Sequence, residues 1–192
     1  FARDNDIPLV ALNIPGEVTS KVAREGLESL DEEQQQWVPA DIERGNAAYE
    51  RRLRQVFEQH PSLDDGGFER FLDAQLLWDE GMAERAARYL KGHPEQRMVI
   101  LAGAGHLEYG DGIPDRLKRR LGDSQAVVIN GLRDQLDPGL ADYLLLPQRR
   151  ELPPAGLLGV RLESGAEGPR VQGFAAKSAA LAAGVRERDR IL

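Results

Sequence analysis

The sequence predicts an α/β fold, a mostly parallel sheet flanked by helices, followed by a smaller β module. Three observations predict it. Short apolar, β-branched runs alternate with longer stretches of helical period as far as residue 146. A segment with three prolines and no hydrophobic period, 147–155, then interrupts the pattern. Beyond it the texture changes to short strands and a small-residue helix. Alternation of strand and helix implies a parallel sheet because each parallel crossover needs a helix-length connection, which then covers a face of the sheet.

Residues 8–13, PLVALN, form an apolar run closed by Pro15-Gly16, the pattern of a strand buried on both faces and then a turn. A helix is expected from Glu17 to Leu27. Between Pro39 and His60, Ile42, Tyr49, Leu53, Val56 and Phe57 recur at helical spacing, and Pro61 stands just beyond the end. A second long helix runs from Gly67 to Leu90. Its broad stripe carries Phe68, Phe71, Leu72, Gln75, Leu76, Asp79, Met82, Ala86 and Tyr89, and Gly92-His93-Pro94 ends it. Met98 to Ala102 is the next strand, Pro114 opens a helix that closes at Gly122, and 126–129, AVVI, completes a βαβ unit. A further strand is expected at Tyr143 to Leu146. In the tail, Leu157 to Leu162 and Arg170 to Phe174 read as strands, and Ser178 to Ala183 as a small helix ended by Gly184. The expected domains are therefore 1–146 and 156–192, joined by the linker 147–155.

Net charge −7 and a pI near 5.1 exclude a sequence-independent nucleic-acid binder, which needs Lys and Arg to displace counterions from phosphates. Zero cysteines exclude a disulfide framework, a thiolate zinc site and a Cys nucleophile, and suit an oxidising or a reducing compartment equally. No run of eighteen apolar residues is present to span a membrane. The chain opens on Phe1-Ala2-Arg3-Asp4 and stops at Ile191-Leu192, inside what reads as an apolar strand, so both termini are expected to be cut sites.

In parallel sheets, ligands sit beyond the carboxyl ends of strands, and the loop Gly103 to Pro114, GAGHLEYGDGIP, occupies that position. Gly103 and Gly105 let a backbone come close to a ligand, and His106 then projects from the sheet edge. The alternative is a loop histidine bonded to a neighbouring carbonyl. Tyr109 lies where an exposed aromatic has no core to fill, whereas Tyr49, Tyr89 and Tyr143 fall on helix stripes or a strand and are expected in the core. Arg116, Lys118, Arg119 and Arg120 crowd one short helix, either as a solvated face suited to a helix C-terminus or as partners for carboxylates. Gln75 and Asp79, one turn apart on an apolar stripe, either bond buried backbone or line the site. Trp78 and Met82 read as packing residues, and His60 and His93 as helix-end residues.

Two phrases, AQLLWDEGMAERAARYL from Ala74 to Leu90 and VILAGAGHLEYGDGIPDRLKRR from Val99 to Arg120, follow PLVALNIP in the order found in a known family. Over residues 1–146 the chain resembles the ChaN-like haem-binding uptake proteins, relatives of the Tiki and erythromycin-esterase proteins. The resemblance implies a non-enzymatic haem-binding protein of the cell envelope. It would face the periplasm, in full form as an outer-membrane lipoprotein, and serve haem or iron uptake, with haems shared across a homodimer. It further implies Tyr109 as the phenolate ligand to iron, with His106, Gly103, Gly105, Lys118 and Arg119 around the cofactor and basic groups on its propionates. Relatives carry a Gly-Glu-x-His phrase on an earlier strand, which this sequence lacks, so the chain is expected to hold half of a split site.

The tail, LLGVRLE and then FAAKSAALAAGVRERDRIL, resembles the front of a bacterial PDZ domain. That resemblance implies recognition of a protein C-terminus by backbone N–H groups of Gly156, Leu157, Leu158 and Gly159. The opposite wall of such a groove would follow Leu192, so peptide binding by this chain alone is not expected. Two rival functions follow from the same residues: a metal-dependent hydrolase of the Tiki or esterase type with His106 as ligand or base, and a scaffold acting through the PDZ module.

Overall fold

The computed structural model describes residues 1–59, 67–122, 125–131, 137–148, 156–164 and 168–190. His60, Pro61, residues 149–155 of the expected linker, and Ile191-Leu192 lie outside the described residues. The chain divides into two compact units, Phe1–Pro147 and Gln148–Leu192.

The first unit is built around one helix. Helix α1 (Gly16–Glu25) ends where Gly26 takes φ +87° and gives its N–H to the Val22 carbonyl at 2.8 Å, a left-handed stop that suits glycine. It buries Val18 and Val22, with Ile14, against Ala74 and Leu77 of the long helix. A four-residue helix α2 (Glu32–Gln35) carries a capping box made by Asp31 and Gln34. Helix α3 (Ala47–Glu58) starts later than the expected Pro39. Gly45 sits at φ +90° and the Asn46 side chain accepts from the N–H groups of Ala48 and Tyr49, which fixes the first turn there. The stretch before it is held by side chains instead: the Glu43 N–H bonds Glu80 at 2.9 Å and the Ala40 N–H bonds Glu84 at 3.3 Å.

Helix α4 (Gly67–Gly92) is the axle of the unit, with thirteen buried residues spread around it. It serves three apolar clusters, one with α1, one with Tyr49 and Leu53 of α3, and one with Ile113 and Leu117 of α5 (Ile113–Leu121). A helix apolar on more than one face is buried on all of them. Fully burying a side chain such as Leu77, 0% exposed, contributes about 2 kcal/mol. α5 opens on Pro114 in its first turn and closes at Gly122, as its sequence predicts.

Strand β1 (Val128–Asn130) pairs in parallel with β2 (Tyr143–Leu145), Ile129 opposite Leu144. The unit is therefore α/β, with helices and one small parallel pair among the described residues. Three expectations need correction. Residues 8–13 and 98–102 form no sheet pairs with each other or with β1, so the βαβ unit across α5 is not assembled. Nor is 8–13 buried on both faces: Leu9 is 84% and Val10 37% exposed, and Leu12 alone packs with Met98, Ile100 and Ala102 on the α4–α5 cluster, while Val99 and Leu101 are 87% and 91% exposed. An apolar run dictates extended backbone and an inward face, but pairing depends on a partner that the run does not specify. Tyr143 is also not core; it is 62% exposed on β2.

The second unit is a two-stranded antiparallel pair, β3 (Val160–Glu163) and β4 (Arg170–Phe174), with a register shift between Arg161 and Leu162. Helix α6 (Ala179–Ala182) is capped by Ser178 and followed by Gly184, close to the expected bounds. Gly159 sits at φ +68°, and a Cβ there would stand 2.8 Å from Ser178 Cα and 3.0 Å from the Lys177 carbonyl oxygen. Gly159→Ala is expected to destabilise this unit by about 2 kcal/mol, the left-handed penalty plus the clash. Hydrogen exchange at Ala175 and Ala180, whose N–H groups bond the Gly159 and Leu158 carbonyls, reads the loss locally.

Candidate functional site

The loop after residue 102 turns twice in short 3-10 segments, Ala104–His106 and Glu108–Gly110. The His106 N–H bonds the Gly103 carbonyl at 3.0 Å, and Tyr109 is forced to φ +59°, with its N–H on the Leu140 carbonyl at 2.8 Å. Arg52 of α3 clamps the loop from outside: it donates to the Gly105 carbonyl at 2.9 Å and forms an ion pair with Asp111. Gly112 is the point of closest approach. A Cβ there would collide with the His106 carbonyl oxygen and stand 3.0 Å from Asp79 Oδ2. At Gly105, by contrast, a Cβ would meet nothing, so that glycine leaves open space rather than filling a tight contact.

His106 is held by a buried relay. Its Nδ1 lies 2.6 Å from Asp79 Oδ1, and the Tyr49 hydroxyl donates to Asp79 Oδ2 at 2.7 Å. Asp79 is 1% exposed, as is Tyr49. Trp78 meets the imidazole edge-on, ring centroids 5.9 Å apart at 81°. A carboxylate can only accept, so Nδ1 carries the proton, and in that tautomer Nε2 keeps its lone pair. Burial, first, and the charge of Asp79 push the Tyr49 hydroxyl well above its ordinary value, so it stays a donor.

This has a consequence for alkaline stability. With the folded pKa of Tyr49 raised, its contribution is complete below about pH 10 and is lost as pH rises toward the folded value, by at most ~1.4 kcal/mol per pH unit. Denaturant unfolding at pH 9 and 11 is expected to show a smaller alkaline loss in Tyr49→Phe than in the parent chain.

An apolar trough of about 760 Å³ opens beside the relay. Its walls include Leu9, Leu12, Trp78, Met82, Ile100 and Leu101, and His106 lines it. The indole nitrogen of Trp78 is a buried donor without a partner among the described residues. Tyr109 is not among the lining residues. It is 48% exposed and donates to Asp137 at 3.0 Å, and that hydrogen bond, with the Asp137 charge, raises its pKa. Gly103 lines the trough, whereas Lys118 lines a separate cleft of about 330 Å³ with Asp115 and Gln125.

The basic cluster is largely spoken for. Arg116, Arg119 and Arg120 all reach Glu80, which is 0% exposed, at 3.3, 2.9 and 2.7 Å. Arg119 also pairs with Glu43, and Arg116 donates to the carbonyls of Asp111 and Gly112 at 2.7 and 2.9 Å. Arg116 is itself 3% exposed, so the expected solvated face is in part a buried ion cluster that ties α5 and the loop to α4. His93 is the helix-end residue expected, with Nδ1 at 2.8 Å from the Tyr89 carbonyl and its ring stacked on Tyr89.

The sequence profile described as "Haem-binding uptake, Tiki superfamily, ChaN" matches residues 1–117. The chain belongs to this family. The match contains Tyr49, Asp79, His106 and Tyr109, and it stops just before Lys118 and Arg119. Neither a curated protein nor a solved structure matches the chain. In this ChaN-like chain the sequence pointed to His106 and to Asp79, but Tyr49 read as core and Arg52, Glu80 and Asp111 carried no local signal. In the structure Asp79 and Glu80 are the two acids buried on a helix whose other buried residues are Gly, Ala, Phe, Leu and Met. Buried acids of that kind need partners.

Proposed function

We propose that this ChaN-like chain binds haem as part of haem or iron uptake at the cell envelope, with His106 as its principal binding residue. The observation that carries the reading is the placement of His106, whose free nitrogen belongs to an imidazole fixed by Asp79 and lining an apolar trough. The donor set fits the group: apolar walls suit the porphyrin faces, and an imidazole is a common axial ligand to iron. When bound, haem supplies the iron centre to be carried. The chain's own part is to present the ligand, exclude water with Trp78, Met82 and Leu12, and leave space at Gly103 and Gly105.

Tyr109 is kept as the second proposed iron ligand. A phenolate there requires Asp137 to give up its hydrogen bond, and Arg52 lowers the cost of the negative charge. Lys118 and Arg119 are the proposed propionate partners; Arg119 would have to leave Glu80 and Glu43. Residues 156–192 are proposed as part of a PDZ module that takes protein C-termini through Gly156 to Gly159. A homodimer sharing haem is part of the same proposal. Titration with haemin tests the function: a saturable shift of the Soret band supports it, and a linear rise with no shift counts against it.

A second reading draws on the Asp79–His106 dyad, the arrangement that activates a general base in hydrolases. Ester hydrolysis by the haem-free chain, lost in His106→Ala, would favour it.

A further inference from the structure

Asp79 lies deep in the unit, yet it has two oxygens and two donors to satisfy them. His106 Nδ1 meets Oδ1 at 2.6 Å and the Tyr49 hydroxyl meets Oδ2 at 2.7 Å. Each donor removes one place where a proton could reside on the carboxyl group. We propose that Tyr49 is a positioning residue for His106: by donating a hydrogen bond to Asp79 Oδ2 while keeping its proton, it holds Asp79 as a pure acceptor toward Nδ1 and so leaves Nε2 unprotonated, with its lone pair free to bind. The use of that lone pair rests on the haem-binding reading; the relay itself does not.

The polarity of the relay follows from hydrogen-bond chemistry. Tyr49 is 1% exposed, and the guanidinium groups of Arg116 and Arg52 lie 4.6 and 5.4 Å from its ring centroid, so the hydroxyl faces cations around its ring and an acid at its tip. Among the described residues its proton has one acceptor, Asp79. If Asp79 becomes Asn, Tyr49 must still donate, and it captures the amide oxygen. The amide NH₂ is then left facing Nδ1, which has to become an acceptor, and the ring proton moves to Nε2. Removing the Tyr49 hydroxyl as well frees the amide to turn over, so that its oxygen again accepts from Nδ1–H.

Nitrogen-15 NMR of histidine-labelled, haem-free protein near pH 8 tests this directly, with His106 assigned among the three histidines by substitution. The expected results are the Nδ1–H tautomer in the parent chain, the Nε2–H tautomer in Asp79→Asn, and return to Nδ1–H in Asp79→Asn/Tyr49→Phe. An Nε2–H tautomer in the parent, or a double variant that stays like Asp79→Asn, overturns the proposal. Should the Asn variants not fold, the parent still decides: a downfield, slowly exchanging Tyr49 hydroxyl proton that is missing from Tyr49→Phe is expected, and its absence from the parent overturns the relay. Because no haem is present, a chain that fails to bind haemin leaves this result intact. Haemin binding with the wrong tautomer sinks the relay alone.

Discussion

His106→Ala is expected to weaken haemin binding by about 100-fold, roughly 2.7 kcal/mol, while leaving the fold in place. The size follows from what the residue contributes. Losing an outer partner of a metal ligand already costs about 10-fold to 100-fold, and losing the ligating nitrogen removes the bond itself. The fold survives because the His106 side chain is 26% exposed and fills no cluster, and because Arg52, Asp111 and Gly112 hold the loop without it. Asp79 does lose a partner, but it keeps the Tyr49 hydroxyl. Circular dichroism and a denaturation curve close to those of the parent, alongside the weakened Soret titration, separate the two effects.

Glu80→Ala has the largest expected effect on stability, a loss of about 3–5 kcal/mol. Its carboxylate is wholly buried and takes ion pairs from Arg116, Arg119 and Arg120 and the N–H of Glu43. Without it, Arg116 is stranded at 3% exposure with no carboxylate, only backbone carbonyls and the Tyr49 ring, to answer its charge. Replacing one member of a buried cluster is costlier than never building it, because the remaining charges stay desolvated. Urea unfolding followed by tryptophan fluorescence measures the loss. Arg120→Ala should cost much less, since two guanidiniums remain on Glu80.

These two residues also show how far the sequence could be read. His106 was singled out because its neighbours are glycines at the end of an apolar run, a local pattern. Glu80 was not, because its three arginine partners are 36 to 40 positions away and nothing local distinguishes it from a solvated acid. The same holds for Tyr49, thirty residues from Asp79, whose hydroxyl is the feature that matters and whose ring alone looked like core. Helices α4 and α5 were read nearly to the residue, since period and end signals are local. The runs at 8–13 and 98–102 were expected as buried strands; they lie unpaired and largely exposed, because pairing and burial are properties of two segments and not of one apolar run. Family membership was legible from phrases that span α4 and the loop, and the profile match over residues 1–117 bears it out.

The most direct test of the central claim is chemical rescue of His106→Ala. Haemin is added to the variant with and without millimolar imidazole, and the Soret band is compared with that of the parent chain. The expected result is that free imidazole, entering the space left by the side chain, restores the parent's band. If His106→Ala alone binds haemin with the parent's spectrum and imidazole changes nothing, the iron is held elsewhere and His106 is not its ligand.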